Sequence, residues 1–291
     1  MKIIKDKNLY YVGGVVRDEI LEIESFDTDF CYEGDAIDFA KKNYNESIIK
    51  TNPSFGTVRL KCDEIEIDIA STREECYPRP GHLPEVCNIG CSLENDLKRR
   101  DFTINSIAKN TLTGEIADPF NGKKDIKEKL IRILHKNSFI DDPTRIIRAL
   151  KFSVRFNFEL EEETKRLQEC YLSSVNYDMS YHRLKKELIE TFNLNKAEAF
   201  DKFVEQKIYK LLGPNQKAPS IKGAIISNSL TNTNYAPWLI YMSFFNLENI
   251  PLTRQEKRIL EWADKINTKG ITNNTPKESI LINRLRSESL C

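Results

Sequence analysis

The sequence predicts an α+β protein: a mixed-sheet domain over residues 1–130, followed by an all-helical remainder. Three observations predict it. Short segments with two-residue apolar alternation, punctuated by glycine and proline, recur up to about residue 130. Beyond that point the apolar spacing is helical to the end. The chain has 291 residues, 40% hydrophobic and 30% charged, enough for a buried core and for more than one domain. Lys+Arg and Asp+Glu are both 44, so any nucleic-acid-binding surface has to be local. No apolar run approaches the ~20 residues that cross a bilayer, and the charged opening from Met1 to Asp6 reads as a strand, not a signal peptide. A cytoplasmic location follows. Seven cysteines without paired metal-site spacing read as free thiols, Cys87-x-x-x-Cys91 being a weak metal hint.

The elements follow in order. Tyr10 to Val12 is a strand that enters Gly13-Gly14 and then a helix from Val15 to Leu21. Such a junction lets backbone N–H groups face an anion. Ser25 to Tyr32 reads as a strand. Asp27 and Asp29, two apart, share one of its faces. Like charges side by side on a strand repel, and a divalent cation removes that cost. Magnesium suits such a pair, because it takes hard oxygen ligands and often only one or two carboxylates beside phosphates. Gly34 to Lys42 gives a turn and an amphipathic helix. Phe55 to Leu60 and Glu64 to Ala70 read as strands joined at Cys62-Asp63. In the second, Ile65, Ile67 and Ile69 face one way and Glu66 and Asp68 the other. Either Glu66 or Asp68 is thereby a candidate third catalytic carboxylate, Asp68 being the one chosen, with an ordinary solvated face as the equal alternative.

Ser71 to Asn95, holding Pro78, Pro80, Gly81 and Pro84, reads as a long irregular segment of the kind found beside active sites. Leu93 to Asn110 reads as a helix carrying Arg100, Asp101 and Asn105. Asp118-Pro119-Phe120-Asn121-Gly122 is a turn. Asp141-Asp142-Pro143 opens a helix on which Asp142, Arg145 and Arg148, three apart, share a face. Glu159 to Tyr171, His182 to Phe192 and Lys196 to Leu212 are helical. Pro237 to Phe245 is core, and Arg254 to Lys265 is an amphipathic helix with Trp262 packed.

These residue types suit phosphoryl or nucleotidyl transfer, which needs metal and cations around phosphate more than covalent chemistry. Arg17, Arg100 and Arg148 can meet phosphate oxygens bidentately. Asp101 and Asn105 can hydrogen-bond ribose hydroxyls. Asp142 beside Arg145 offers an acceptor and a fork of donors, which can read the edge of a base. Each pair taken alone is as compatible with a salt bridge.

Over about 190 residues the chain resembles bacterial tRNA nucleotidyltransferases of the branch that also holds poly(A) polymerase. The matching stretches are Gly13-Gly14-Val15-Val16-Arg17-Asp18, Asp27-Thr28-Asp29, Tyr77-Pro78-Arg79-Pro80-Gly81 and Arg99-Arg100-Asp101-Phe102-Thr103-Ile104-Asn105. They continue with Asp118 to Gly122, Asp141-Asp142-Pro143-Thr144-Arg145-Ile146-Ile147-Arg148 and Ser180 to Glu187. The resemblance implies a nucleotidyltransferase head over 1–130, a base-reading neck over 131–195, and a short tRNA-binding body over 196–291. It implies magnesium on Asp27 and Asp29, a triphosphate site at Gly14, Arg17 and Arg100, and ribose contacts from Asp101 and Asn105. Asp142 and Arg145 would read cytosine or adenine, with Arg148 and Lys151 completing the pocket. The implied partners are CTP, ATP and the tRNA acceptor end, with no membrane; monomer and homodimer both stay open.

The sequence departs from the family pattern at Asp141, at Lys151 where arginine is common, and at Asn121 where glycine is common. Beyond about residue 195 the resemblance stops. The expected activity is magnesium-dependent addition of CCA to tRNA without a nucleic-acid template. Addition of the terminal A alone, poly(A) polymerase activity and a non-catalytic RNA-binding role are the alternatives. Zero net charge weighs against poly(A) polymerase, and the presence of Asp27 and Asp29 against the non-catalytic role.

Overall fold

The computed structural model describes residues 5–25, 28–62 and 65–289. Asp27 lies outside the described residues, and so does its expected pairing with Asp29. The chain divides into two compact units, Met1–Ser138 with Glu159–Thr164, and Phe139–Phe158 with Lys165–Cys291.

The first unit runs β1 (Leu9–Val12), α1 (Gly14–Ile20), β2 (Asp29–Tyr32), α2 (Ala36–Tyr44), β3 (Ile48–Asn52), β4 (Thr57–Cys62) and β5 (Ile65–Ser71). It continues with β6 (Arg73–Cys76), β7 (Glu85–Ile89), α3 (Leu93–Lys98), β8 (Ala108–Asn110), β9 (Ile116–Ala117), α4 (Gly122–Glu128) and β10 (Leu130–Ile131). Seven strands form one sheet in the order β3-β4-β5-β2-β1-β8-β9. The β2–β5 pair is parallel and its neighbours are antiparallel, so the sheet is mixed, as the sequence predicts.

Strand alternation sends side chains to two separate cores. Phe30, Val58, Leu60, Ile67 and Ile69 pack on one face against Ala36, Ile37, Phe39, Ala40 and Tyr44 of α2. Asp35 starts that helix by accepting hydrogen bonds from the backbone N–H groups of Ile37 and Asp38. On the other face, Val12, Cys31 and Ala108 pack against Leu93 and Leu97 of α3. The part of this second face over β3, β4 and β5 carries polar residues instead.

Four sequence expectations change. The segment Ser71 to Asn95 is not irregular throughout: β6 and β7 pair antiparallel as a hairpin, and Ser92 caps α3. The prolines are confined to its turn, where no ladder hydrogen bond is needed. Nor is Leu93 to Asn110 one helix. The α3 helix ends at Lys98, a single 3-10 turn spans Thr103–Asn105, and β8 follows. Asp101 accepts from the Phe102 backbone N–H and the Asn105 side chain, a local bond that competes with helix. Phe102, Ile104, Ile107 and Ala108 are all fully buried, so this run has no solvent face and hence no helical stripe. Cys76 and Cys87, expected as free thiols, are joined across the hairpin with Cα atoms 6.0 Å apart. That removes the Cys87-x-x-x-Cys91 metal hint; Cys31, Cys91 and Cys170 are free. Finally, Glu159 does not begin a helix.

The chain continues with α5 (Ser138–Asp141), α6 (Thr144–Phe156), β11 (Glu159–Leu160), which pairs with β10, and α7 (Glu162–Ser173). There follow α8 (Tyr181–Phe192), α9 (Ala197–Glu205), α10 (Gly223–Leu230), α11 (Pro237–Met242), α12 (Arg254–Lys269) and α13 (Lys277–Glu288). In the second unit α6 packs on α8 and α9, α8 on α11, and α12 on α13. Phe192, Phe200, Phe203, Tyr241 and Phe245 form its aromatic centre. Pro237 to Phe245 is core as expected, Trp238 to Met242 being buried. Thr253 and Glu256 close a reciprocal capping box at the start of α12. Among the described residues no helix is long and apolar enough to cross a membrane.

Candidate active site

Strand register builds the first part of the site. Asp29 opens β2 and lies opposite Asp68 on β5. Both are exposed, on the face away from α2. Asp68 lies opposite Arg59 of β4. The guanidinium clasps it bidentately, Nε to Oδ1 and Nη2 to Oδ2, each at 2.8 Å. Asp29, Asp68, Arg59 and Arg100 line one cleft of about 410 Å³.

Arg100 reaches this cleft from the end of α3. Asp96, one helical turn earlier and fully buried, accepts from its Nη2 at 3.1 Å and from Arg99 at 2.8 Å. Burial pushes the Asp96 carboxyl up, but the Arg100 and Arg99 charges, the Arg99 hydrogen bond and the Arg73 backbone N–H outweigh it and hold the group below the ordinary carboxylate range. Arg100 Nε is buried and makes no hydrogen bond. Gly13 makes room for it. A Cβ there would stand 2.9 Å from Arg100 Nη1, and its φ of +71° is left-handed.

Gly14, Arg17, Asp101 and Asn105 lie beside this cleft without lining it. Arg17 is buried and donates to Asp18 at 2.6 Å and to Asn105 Oδ1 at 2.5 Å. Asn105 donates in turn to Asp101 at 3.0 Å. Asp18, Arg17, Asn105 and Asp101 therefore form one buried chain of hydrogen bonds that fixes α1 to the turn after Arg100. The turn at Asn121 supports the same place. Asn121 is left-handed at φ +61°, which asparagine tolerates after glycine. A Cβ on Gly122 would lie 2.2 Å from the Thr103 carbonyl.

In the second unit Asp142 precedes α6. Its Oδ1 accepts from the Thr144 backbone N–H at 3.1 Å and the Thr144 hydroxyl at 2.6 Å. Its Oδ2 accepts from Arg183 of α8. Arg145 is buried on α6. Arg148 meets Glu187 of α8 at 3.1 Å, and Lys151 meets Glu187 at 2.8 Å and Glu190 at 2.6 Å. Lys151 thus makes single-point contacts where a guanidinium would make a fork.

Sequence reasoning gave no role to Arg59, Asp96, Arg183 or Glu187, although the last two lie in the matching stretch Ser180 to Glu187. The i, i+3 and i, i+4 spacing of Asp96 to Arg99 and Arg100 was a usable signal; the register partner Arg59 had none.

Residues 9–132 match the family model of the poly(A) polymerase head domain. The A-adding tRNA nucleotidyltransferase of Aquifex aeolicus is 42% identical over 201 residues, 67% of this chain and 24% of that protein. That of Halalkalibacterium halodurans is 35% identical over 218 residues, 70% and 50% of the two chains. The present chain thus spans at most half of either relative. The Thermotoga maritima CCA-adding enzyme complexed with tRNA(CCA) superposes with a TM-score of 0.72 at 25% identity, covering 97% of this chain and 77% of that one. The clasped carboxylates, the arginines at the end of α3 and the polar start of α6 thus sit in a member of the tRNA nucleotidyltransferase and poly(A) polymerase family.

Proposed function

We propose that the chain is a tRNA nucleotidyltransferase that builds the 3′ CCA end from CTP and ATP without a nucleic-acid template. One observation carries the chemistry: a cation, Arg100, lines the same cleft as two carboxylates on adjacent strands. In this reaction the 3′-hydroxyl oxygen of the tRNA forms a bond to the α-phosphorus, the bond from that phosphorus to the bridging oxygen breaks, and pyrophosphate leaves.

Arg100 binds the departing phosphates. Asp68 accepts the hydrogen bond of the 3′-hydroxyl and takes its proton as the new bond forms. Asp29, with Asp27 by the sequence pattern, is the proposed ligand for magnesium. Exposed hard oxygens fit that ion. Bound magnesium would neutralise phosphate charge. Gly14 and Arg17 shape the wall beside the triphosphate, and Asp101 and Asn105 serve the ribose. In the second unit Asp142 and Arg145 read the base, with Arg148 and Lys151 beside them, and residues 196–291 hold tRNA.

Addition of the terminal A alone is the second reading, favoured by the names of the two relatives that match at 42% and 35% identity. Incubating the protein with tRNA lacking three, two or one 3′ nucleotides, and with each triphosphate in turn, separates the two. Cytidine incorporation supports the first reading; adenosine incorporation only onto a CC end supports the second. No incorporation on any tRNA rejects both.

A further inference from the structure

Four adjacent strands set four charged residues in a row. Lys50 of β3 lies opposite Arg59 of β4, Arg59 opposite Asp68 of β5, and Asp68 opposite Asp29 of β2. Directly opposed residues share a face, and all four line the same cleft. The row reads cation, cation, carboxylate, carboxylate. Arg59 is neutralised by Asp68, with Glu66 at 3.4 Å. Lys50 is exposed and has no carboxylate partner among the described residues. Beside the paired Arg59, the Lys50 ammonium is the uncompensated charge of the row.

The row also has a direction. Arg100 stands past Asp29, on the α3 side of the sheet, whereas Lys50 and Arg59 stand past Asp68, towards the β3 edge. In-line transfer places the leaving group and the nucleophile on opposite sides of the reacting phosphorus. With the leaving pyrophosphate at Arg100, the strand that brings the nucleophile arrives over β4 and β3. Neighbouring strands are about 4.8 Å apart. Arg59 therefore lies roughly 10 Å from Asp29 along the row and Lys50 roughly 14 Å, within reach of the last backbone phosphates of that strand.

We propose that Lys50 and Arg59 form a phosphodiester subsite for the RNA strand being extended, and that Arg59 swings from Asp68 to that phosphate when the RNA binds. The exchange would free Asp68 to accept the 3′-hydroxyl only when RNA is in place. This inference rests on the nucleotidyltransferase reading above.

The test uses an RNA acceptor hairpin with a single-stranded 3′ CC end. Its affinity is followed by fluorescence anisotropy across a potassium chloride series. Lys50→Gln and Arg59→Gln should each weaken RNA binding severalfold and lower the slope of log affinity against log salt by about 0.7. The KM for ATP should stay within about twofold, because uniform binding to the RNA alone is lost. A neutral methylphosphonate at the last phosphodiester should mimic these losses in the unaltered protein and add nothing in a variant carrying both Lys50→Gln and Arg59→Gln. Thermal melting confirms that the exposed substitutions leave the fold intact. If RNA affinity, salt slope and RNA KM are unchanged while only kcat moves, Arg59 acts through Asp68 alone and the subsite does not exist. If the unaltered protein incorporates no nucleotide at all, the nucleotidyltransferase reading has failed instead.

Discussion

The sheet unit and the helical unit both place carboxylates beside arginines, by opposite means. In the sheet unit the partners come from strand register. Arg59, Asp68 and Asp29 are far apart in sequence and meet because three strands lie side by side. In the helical unit the carriers are spaced along one stretch, Asp142 to Lys151, and α8 supplies their counter-charges. The sheet row is exposed, so its ions are held cheaply and can exchange. The start of α6 is buried, so its ions are locked to fixed partners. Exchangeable charge suits metal and phosphate, which come and go; locked charge suits the reading of a base edge, where geometry decides.

The sharpest break of this comparison is Asp29→Ala. An exposed carboxylate contributes little to stability, within about 0.5 kcal/mol. Its loss should nevertheless cut nucleotide incorporation by about a thousandfold, since metal stabilisation is worth several kcal/mol. Incorporation and melting measured on one preparation check both halves; near-normal turnover would remove Asp29 from the chemistry.

Asp96→Ala should do the reverse to the fold. It leaves Arg99 and Arg100 without their buried partner, and should destabilise the sheet unit by about 3–5 kcal/mol in denaturant unfolding. A loss below about 1 kcal/mol would mean that the Glu75 contact to Arg99, at 2.8 Å, suffices.

In the helical unit, Asp142→Ala and Arg145→Ala should relax discrimination against UTP and GTP by roughly 1–3 kcal/mol. Triphosphate affinity should change less. Competition assays with paired nucleotides read this directly, and unchanged preference in both variants would make the pair structural only.

The smallest effect is on pH. The folded Asp96 carboxyl titrates below its ordinary value, so the folded state binds fewer protons there than the unfolded chain. Its contribution to stability is complete above about pH 4 and fades as the pH falls through the lower folded-state value. Asp96→Asn should flatten that acid limb in unfolding curves recorded from pH 5 down to pH 2; an unchanged limb would assign the acid sensitivity elsewhere.

Local spacing was legible in the sequence, and contacts between distant strands were not. The α6 motif could be read because three-residue steps place side chains together whatever the rest of the chain does. The mixed sheet followed by helices was visible for the same reason, since each period is a local signal. The run after Arg100 misled because its apolar residues are buried on every side, which erases the stripe that separates helix from coil. Arg59 was invisible as a site residue because its meaning depends on β4 lying beside β5. The β6–β7 hairpin hid behind its prolines, which punctuate the turn and not the strands.

The β3 strand has one more consequence. It is an outer strand of the sheet, and its pairing with β4 slips at a bulge between Ile48 and Lys50. Its outer backbone groups would otherwise offer a template for another chain to dock alongside. A kink together with an exposed lysine is a common way of blunting such an edge. Lys50 thereby blunts this edge as well as lining the cleft, and a β-branched apolar residue in its place would turn the edge into a nucleus for self-association.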